Sequence, residues 1–324
     1  MAKPIIVTGA AGFIGRNLVA ELNRQGEQEL ILVDVLGKDH KWRNLRGLHY
    51  EDLISPPALL SLLERGQLRD AQAIIHLGAC SSTTEQDADY LLENNYRYSR
   101  RLCEFSLEHG NRFIYASSAA TYGDGSRGYS DEDAATTELR PLNMYGYSKH
   151  MFDLWALRSG ALDQIAGLKY FNVFGPYEDH KRDMMSVVAK SYRQIKQTGT
   201  VQLFRSYNPR YADGEQMRDF IYVKDAVAVT LSFLENRGSS GLFNCGTGKA
   251  RTWKDLVTAV FHATQMPVRI EFIEMPPALR GKYQYFTQAR MEKLRAAGYT
   301  SPFHSLEEAV ADYVKTYLDR LQEE

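Results

Sequence analysis

The chain has 324 residues, 44% hydrophobic and 24% charged, and its 39 Lys and Arg against 40 Asp and Glu leave a formal net charge of −1. That length supports a large core and points to two lobes, while the balanced charge makes no case for nucleic acid or an acidic membrane surface. Cys80, Cys103 and Cys245 lack CxxC spacing, which fits reduced thiols and no metal site. The start of the chain leads straight into Pro4-Ile5-Ile6-Val7 without a leader pattern, and no apolar run approaches the about 20 residues of a membrane span, so a soluble cytoplasmic protein is expected.

Ile5 to Val7 reads as a buried strand and Phe13 to Gly26 as an amphipathic helix, with Gly9, Gly12 and Gly15 between and just inside them. Glycines there permit a sharp turn, close approach of backbone N–H groups to a pyrophosphate, and tight helix–strand packing. A second strand, Leu30 to Val33, delivers Asp34 about 20 residues on, where a ribose-binding acid is expected. Asp34 alone favours NAD, but Lys38, Lys41 and Arg43 follow and one of them can neutralise a 2′-phosphate, so NADP stays open. Ala73 to Leu77 is the next strand, ending in the small residues Gly78, Ala79, Cys80 and Ser81, over which a cofactor can lie. His76 reads as a packed strand-end histidine. A helical stretch from Asp87 to His109 carries Asn94 toward the cofactor, and the strand from Arg112 to Ala116 ends at Ser117 and Ser118. This alternation predicts an α/β fold, a doubly wound parallel Rossmann sheet, with its ligand beyond the carboxyl ends of the strands.

Tyr145-Gly146-Tyr147-Ser148-Lys149 falls at the same rim. Tyr145 and Lys149 share one helix face, and a nearby ammonium is expected to lower a phenol pKa from its ordinary value of about 10. The spacing also recurs at Tyr177/Lys181 and Tyr192/Lys196, so it is the company of the first pair that singles it out. After Tyr170-Phe171-Asn172 the loops lengthen and basic residues collect, and Lys181, Arg182, Arg205, Arg210 and Arg218, with Lys169 just before, suit a smaller substrate lobe that grips a pyrophosphate. Helices are expected at Thr252 to Thr264, capped by Thr252, and at Ser305 to Leu321, with Ser305 and Glu308 as a capping box. Lys224 to Val227 returns the chain to the first lobe. The expected division is 1–171 with about 219–248 for the dinucleotide domain, and 172–218 with 249–324 for the interleaved substrate lobe.

Gly9-x-x-Gly12-x-x-Gly15, Ser118 and Tyr145-x-x-x-Lys149 together resemble the extended short-chain dehydrogenase/reductase family. The runs Gly78 to Glu85, Tyr115 to Gly123, Asn143 to Lys149, Tyr170 to Pro176, Arg218 to Val223 and Gly281 to Gln288 narrow the resemblance to its nucleotide-sugar epimerases, over essentially the whole chain. It implies a tightly held NADP, an ADP-linked heptose as substrate, no net redox change and a homo-oligomer. By the same resemblance Tyr145 and Lys181 are the acid/base pair, assisted by Ser118 and Lys149. Phe13, Ile14, Asp34, Val35, Lys41, Leu77, Asn94, Lys149, Val173 and Lys181 are implied at the cofactor. Asn172, Phe204, Arg205, Ser206, Tyr207, Arg218 and Tyr283 are implied at the substrate, with Asp183 and Lys190.

The pattern is broken at four places. Asp183 stands where a Ser is expected, Lys190 where a His is, Pro56 where a Lys is, and Tyr207 to Gln216 is a longer loop. An epimerase needs a second acid/base group because one Tyr cannot serve both faces of a planar ketone, and Lys181 is either that group or a binding contact. A 4,6-dehydratase is disfavoured because Ala119-Ala120-Thr121-Tyr122 offers no acidic pair. A hexose 4-epimerase and a non-catalytic NADP-binding protein of the same fold remain as rivals.

Overall fold

The computed structural model describes residues 3–281 and 283–322; Lys282, inside one of the runs quoted above, lies outside the described residues. The strands are β1 (Ile5–Thr8), β2 (Leu30–Val33), β3 (Asp52–Ile54), β4 (Ala73–His76), β5 (Arg112–Ser118), β6 (Ala166–Tyr170), β7 (Asn172–Phe174), β8 (Val201–Phe204), β9 (Met217–Tyr222), β10 (Gly241–Cys245), β11 (Ala250–Thr252) and β12 (Ile270–Ile273). Seven of them form one sheet in the order β10-β6-β5-β4-β1-β2-β3, with every neighbouring pair parallel. β1 and β4 are buried along their whole length, which is why they read as unbroken apolar runs rather than alternating ones. The strand order reverses at β1, and a crevice opens there beyond the carboxyl ends.

The helices are α1 (Phe13–Arg24), α2 (Pro56–Glu64), α3 (Ala88–Leu91), α4 (Tyr98–His109), α5 (Met144–Arg158), α6 (Val187–Thr198), α7 (Val223–Glu235), α8 (Trp253–Ala263), α9 (Pro277–Arg280), α10 (Glu292–Ala296) and α11 (Leu306–Tyr313). α1 and α7 supply apolar faces to one side of the sheet, and α2, α4 and α5 to the other. α1 buries Leu18, Val19 and Leu22 and ends at Arg24, slightly before the glycine expected to close it. Thr252 caps α8 and Ser305 with Glu308 caps α11 through full capping boxes, as their spacing predicts. β3 and α2 have no counterpart among the expected elements. Ser55 caps α2 and Pro56 sits at its first turn, where the missing N–H costs nothing.

β7, β9 and β11 make a three-stranded sheet, and β8 pairs in parallel with β12. β9 lies in that small sheet, whereas α7 packs back against α1 and β10 joins the edge of the large sheet. Strands of the large sheet and of the two smaller sheets therefore alternate along the second half of the chain. No helix among the described residues is long and apolar enough to cross a membrane.

Candidate functional site

Gly9 has φ +70°, and a Cβ there would sit 2.7 Å from the Gly78 nitrogen; a Cβ on Gly15 would collide with the Gly9 carbonyl. These two positions bring β1, α1 and the β4 end into direct backbone contact. Gly12 is the N-cap of α1 with no side-chain cap bond, so the first helical amides face the cleft. The cleft measures about 550 Å³ and is lined by Gly9, Gly12, Phe13, Ile14, Gly15, Asp34, Val35 and Lys41, by 77–81, and by Asn94 and Lys181. Asp34 accepts from the Ala11 amide at 2.8 Å, from Val35 N at 2.6 Å and from Lys41 Nζ at 2.5 Å. Of the three basic residues that follow Asp34, Lys41 is the one that reaches it. Pro56 lines the same cleft.

His76 is 1% exposed; its Nδ1 and Nε2 lie 2.6 and 2.7 Å from the hydroxyls of Thr8 and Ser99. Burial and the Lys149 cation push it down to about 3, so it is a neutral packed residue. Asn95 is fully buried in a π-helical turn, Leu92–Arg97, between α3 and α4. It accepts from Cys80 N at 2.8 Å and donates to Cys80 O at 3.0 Å and to Ser148 Oγ at 2.9 Å. The extra residue of the π turn thus ties the cleft floor to α5. Sequence reasoning singled out Asn94 and missed Asn95, because a π turn has no local pattern.

Asn143 caps α5 by accepting from Gly146 N at 2.8 Å, which sets Tyr145 in the first turn and Lys149 one turn on. Lys149 Nζ donates to Ala116 O at 2.7 Å. Burial pushes this ammonium down to about 8, opposed by Asp153 and Cys80. The Tyr145 phenol is raised above its ordinary value by burial, and its hydrogen bond with Ser118 opposes the rise. This corrects the expectation of a phenol lowered by Lys149. Desolvation of the phenol outweighs the lowering by Ser118.

Beneath this pair, fully buried Asp153 accepts from Tyr115 Oη at 2.8 Å, Ser117 Oγ at 2.7 Å and Lys169 Nζ at 2.6 Å. Lys169 also donates to Thr121 Oγ1 at 2.8 Å. The expectation that Lys169 offers charge to a pyrophosphate is therefore corrected: it is 1% exposed and committed to Asp153.

Lys181 lies in a short helical turn, Asp179–Met184, that includes Arg182 at φ 49°. Burial lowers its pKa first, Lys190 lowers it further and Glu178 opposes. The turn is strapped down: Asn17 donates to Pro176 O, Asn44 to Tyr177 O, and Asn44 Nδ2 lies 3.1 Å from His180 Nδ1. Lys181 separates the cleft from a second pocket of about 270 Å³, lined by Asn172, Val173, Met184, Phe220 and Trp253 among others. Val173, implied at the cofactor, lines this second pocket and is absent from the lining of the cleft.

Arg218 is 6% exposed, 5.6 Å from the Trp253 ring and 5.1 Å from that of Tyr283. It donates to the carbonyls of Met217 and Gln284, and none of the carboxylates among the described residues pairs with it. Tyr283 Oη accepts from Trp253 Nε1 at 2.8 Å. Arg205 instead meets Asp213 and Glu274, each at 3.5 Å. Ser206 N donates to Asp213 at 2.7 Å, and Tyr207 donates to Glu274. Phe204 ends β8 next to them. Lys190 donates to the Asp183 carbonyl at 2.6 Å, so these two unexpected residues bind each other.

Residues 5–246 match the NAD dependent epimerase/dehydratase family. The chain is 58% identical over 314 residues to the ADP-L-glycero-D-manno-heptose-6-epimerase of Nitratidesulfovibrio vulgaris strain DP4, covering 97% of each chain. It is 48% identical to the protein of the same name from Fusobacterium nucleatum, covering 97% of this chain and 98% of that one. The crystal structure of the Helicobacter pylori ADP-L-glycero-D-manno-heptose-6-epimerase superimposes with a TM-score of 0.78 at 25% identity, over 97% of this chain and 96% of that one. The chain belongs to the NAD dependent epimerase/dehydratase family.

Proposed function

We infer that this chain is an isomerase that converts ADP-D-glycero-D-manno-heptose to ADP-L-glycero-D-manno-heptose by inverting C6″, a step that supplies heptose for the lipopolysaccharide inner core. The reading is carried by full-length identity of 58% and 48% to curated enzymes of that name. A bound nicotinamide dinucleotide supplies reversible hydride acceptance, which leaves a transient 6″-ketone and no net redox change. The open first turn of α1, the small residues 78–81 and Asp34 fit such a group, with Lys149 at its nicotinamide end.

On this reading Ser118 and Tyr145 hold the C6″ oxygen. The raised phenol keeps its proton at neutral pH, the form that protonates a ketone oxygen during reduction. Lys181, with its lowered pKa, is suited to the complementary step on the other face. Asn172 and the pocket beside Lys181 receive the sugar, Arg218 receives phosphate, and residues 204–207 with Tyr283 flank the nucleotide. NADP is the proposed dinucleotide because Lys41 offsets the Asp34 carboxylate where a 2′-phosphate would lie. A cytoplasmic homo-oligomer, with the interleaved lobes as dinucleotide and substrate units, completes the proposal.

Purified protein incubated with the D-glycero substrate, without added cofactor, is expected to yield a chromatographic mixture of the two epimers without net reduced nicotinamide. Intact substrate alongside a retained dinucleotide would overturn the substrate assignment.

A further inference from the structure

We propose that Tyr211 and Tyr285 form an aromatic shelf that takes the purine base of the nucleotide sugar. The inference rests on the substrate reading above and adds two residues that bind the base. The two rings stack with centroids 5.7 Å apart and an interplanar angle of 26°. Both residues are half-buried, and neither belongs to a hydrophobic core cluster, so the stack is not explained by packing.

Its position follows the order of groups in a nucleotide sugar. The second pocket has Trp253 as a wall, Trp253 bonds Tyr283, and Arg218 lies over both rings. Tyr283 in turn meets Tyr285 edge-on at 5.1 Å and 71°. With a sugar seated beside Lys181 and the diphosphate at Arg218, the ribose comes next and the base, the last group, falls at the Tyr285 and Tyr211 rings. An aromatic face suits a base because every base presents a π-surface, and the guanidinium suits phosphate oxygens.

The shelf is held in place rather than merely exposed. Tyr207 N donates to Tyr285 Oη at 3.3 Å. The long loop that carries Tyr211 is braced internally, with Tyr211 N donating to Asn208 O at 3.0 Å and Glu215 N to Ala212 O at 3.0 Å. Between Tyr283 and Tyr285, the Gln284 carbonyl accepts from Arg218 and its side chain donates to Gly123 O. That links the shelf to the segment that follows Ser118.

The test is calorimetric titration of the purified protein with ADP and, separately, with inorganic pyrophosphate. Tyr211→Ala and Tyr285→Ala are each expected to weaken ADP binding about tenfold and to leave pyrophosphate binding unchanged. Tyr211→Phe and Tyr285→Phe keep the rings and are expected to restore ADP affinity. Parent-like ADP affinity in the double alanine variant overturns the proposal. So does an equal loss of ADP and pyrophosphate, which would mark a loop collapsed onto Arg218. If the parent protein leaves the heptose substrate intact while ADP affinity falls as stated, the shelf stands and the substrate assignment falls alone.

Discussion

The dinucleotide cleft and the pocket on the far side of Lys181 share a wall but are made from different material. Part of the cleft is backbone and small side chains, Gly9, Gly12 and 78–81 at the carboxyl ends of neighbouring parallel strands with Gly15 in the first turn of α1, and larger side chains such as Phe13, Lys41 and Lys181 complete it. The pocket and its extension are made of large side chains, Trp253, Arg218 and Tyr283, on segments separated by long loops. A surface of glycines and strand ends is set by sheet register and tolerates little change. One made of side chains on loops can be retuned without disturbing the sheet. On the proposed reading the chemistry sits where the two meet, on α5 and at Lys181.

Tyr145→Phe breaks that junction most severely. It removes one hydroxyl and keeps the ring, so turnover is expected to fall by about 10²–10⁴-fold. The retained dinucleotide, read by absorbance, is expected at parent levels because Tyr145 is not part of the cleft lining. Parent-like turnover would move the proton transfer elsewhere.

Asp153→Asn comes next and tests the support beneath the junction. It leaves Lys169 as an uncompensated cation that is 1% exposed. Breaking such a buried pair from one side costs about 3–5 kcal/mol, read from the midpoint of denaturant unfolding. Replacing both partners by apolar residues of similar volume is expected to recover most of that loss. An Asp153→Asn protein as stable as the parent would show that the Thr121 hydroxyl carries Lys169 without the carboxylate.

Lys41→Ala perturbs the cleft alone. With the ion pair at 2.5 Å gone, Asp34 faces a 2′-phosphate unshielded. Affinity for NADP is expected to drop by about 10–100-fold, the worth of one charge-assisted contact. NAD affinity should hold, since Asp34 keeps its ribose-facing carboxylate and its bond to Ala11 N. Equal losses for both dinucleotides would return the cleft to the NAD reading.

The same contrast explains what could be read in advance. The cleft was legible because its parts are local: a strand, a glycine turn, a helix and an acid at a fixed interval, each with its own pattern. Tyr145, Lys149 and Ser118 were legible because α5 begins at a capped turn. Asp153 and Lys169 were not, since a carboxylate on α5 carries no local signal and a lysine on β6 reads from sequence as a phosphate-binding cation. β3 escaped notice because three residues carry too little periodicity. The pairing of β8 with β12 joins segments about seventy residues apart, a long-range contact with no local signature. Stacking of Tyr211 on Tyr285 is of the same kind.

The mildest perturbation is pH, and it separates catalysis from folding at Lys149. Burial holds the ammonium at about 8, against an ordinary value of 10.5. If the cation is the working form, kcat/KM is level below about pH 8, halved there, and falling above it. Stability runs the other way. The unfolded chain binds this proton more tightly than the folded one between 8 and 10.5, so over that window the group's contribution to the unfolding free energy rises with pH. Below 8 its burial penalty is present in full. Asp153 supports the charged form, so Asp153→Asn is expected to shift the activity limb to lower pH. Paired profiles of kcat/KM and denaturation midpoint on parent and variant check both signs at once. An activity limb that ignores Asp153→Asn would assign the alkaline loss to a group other than Lys149.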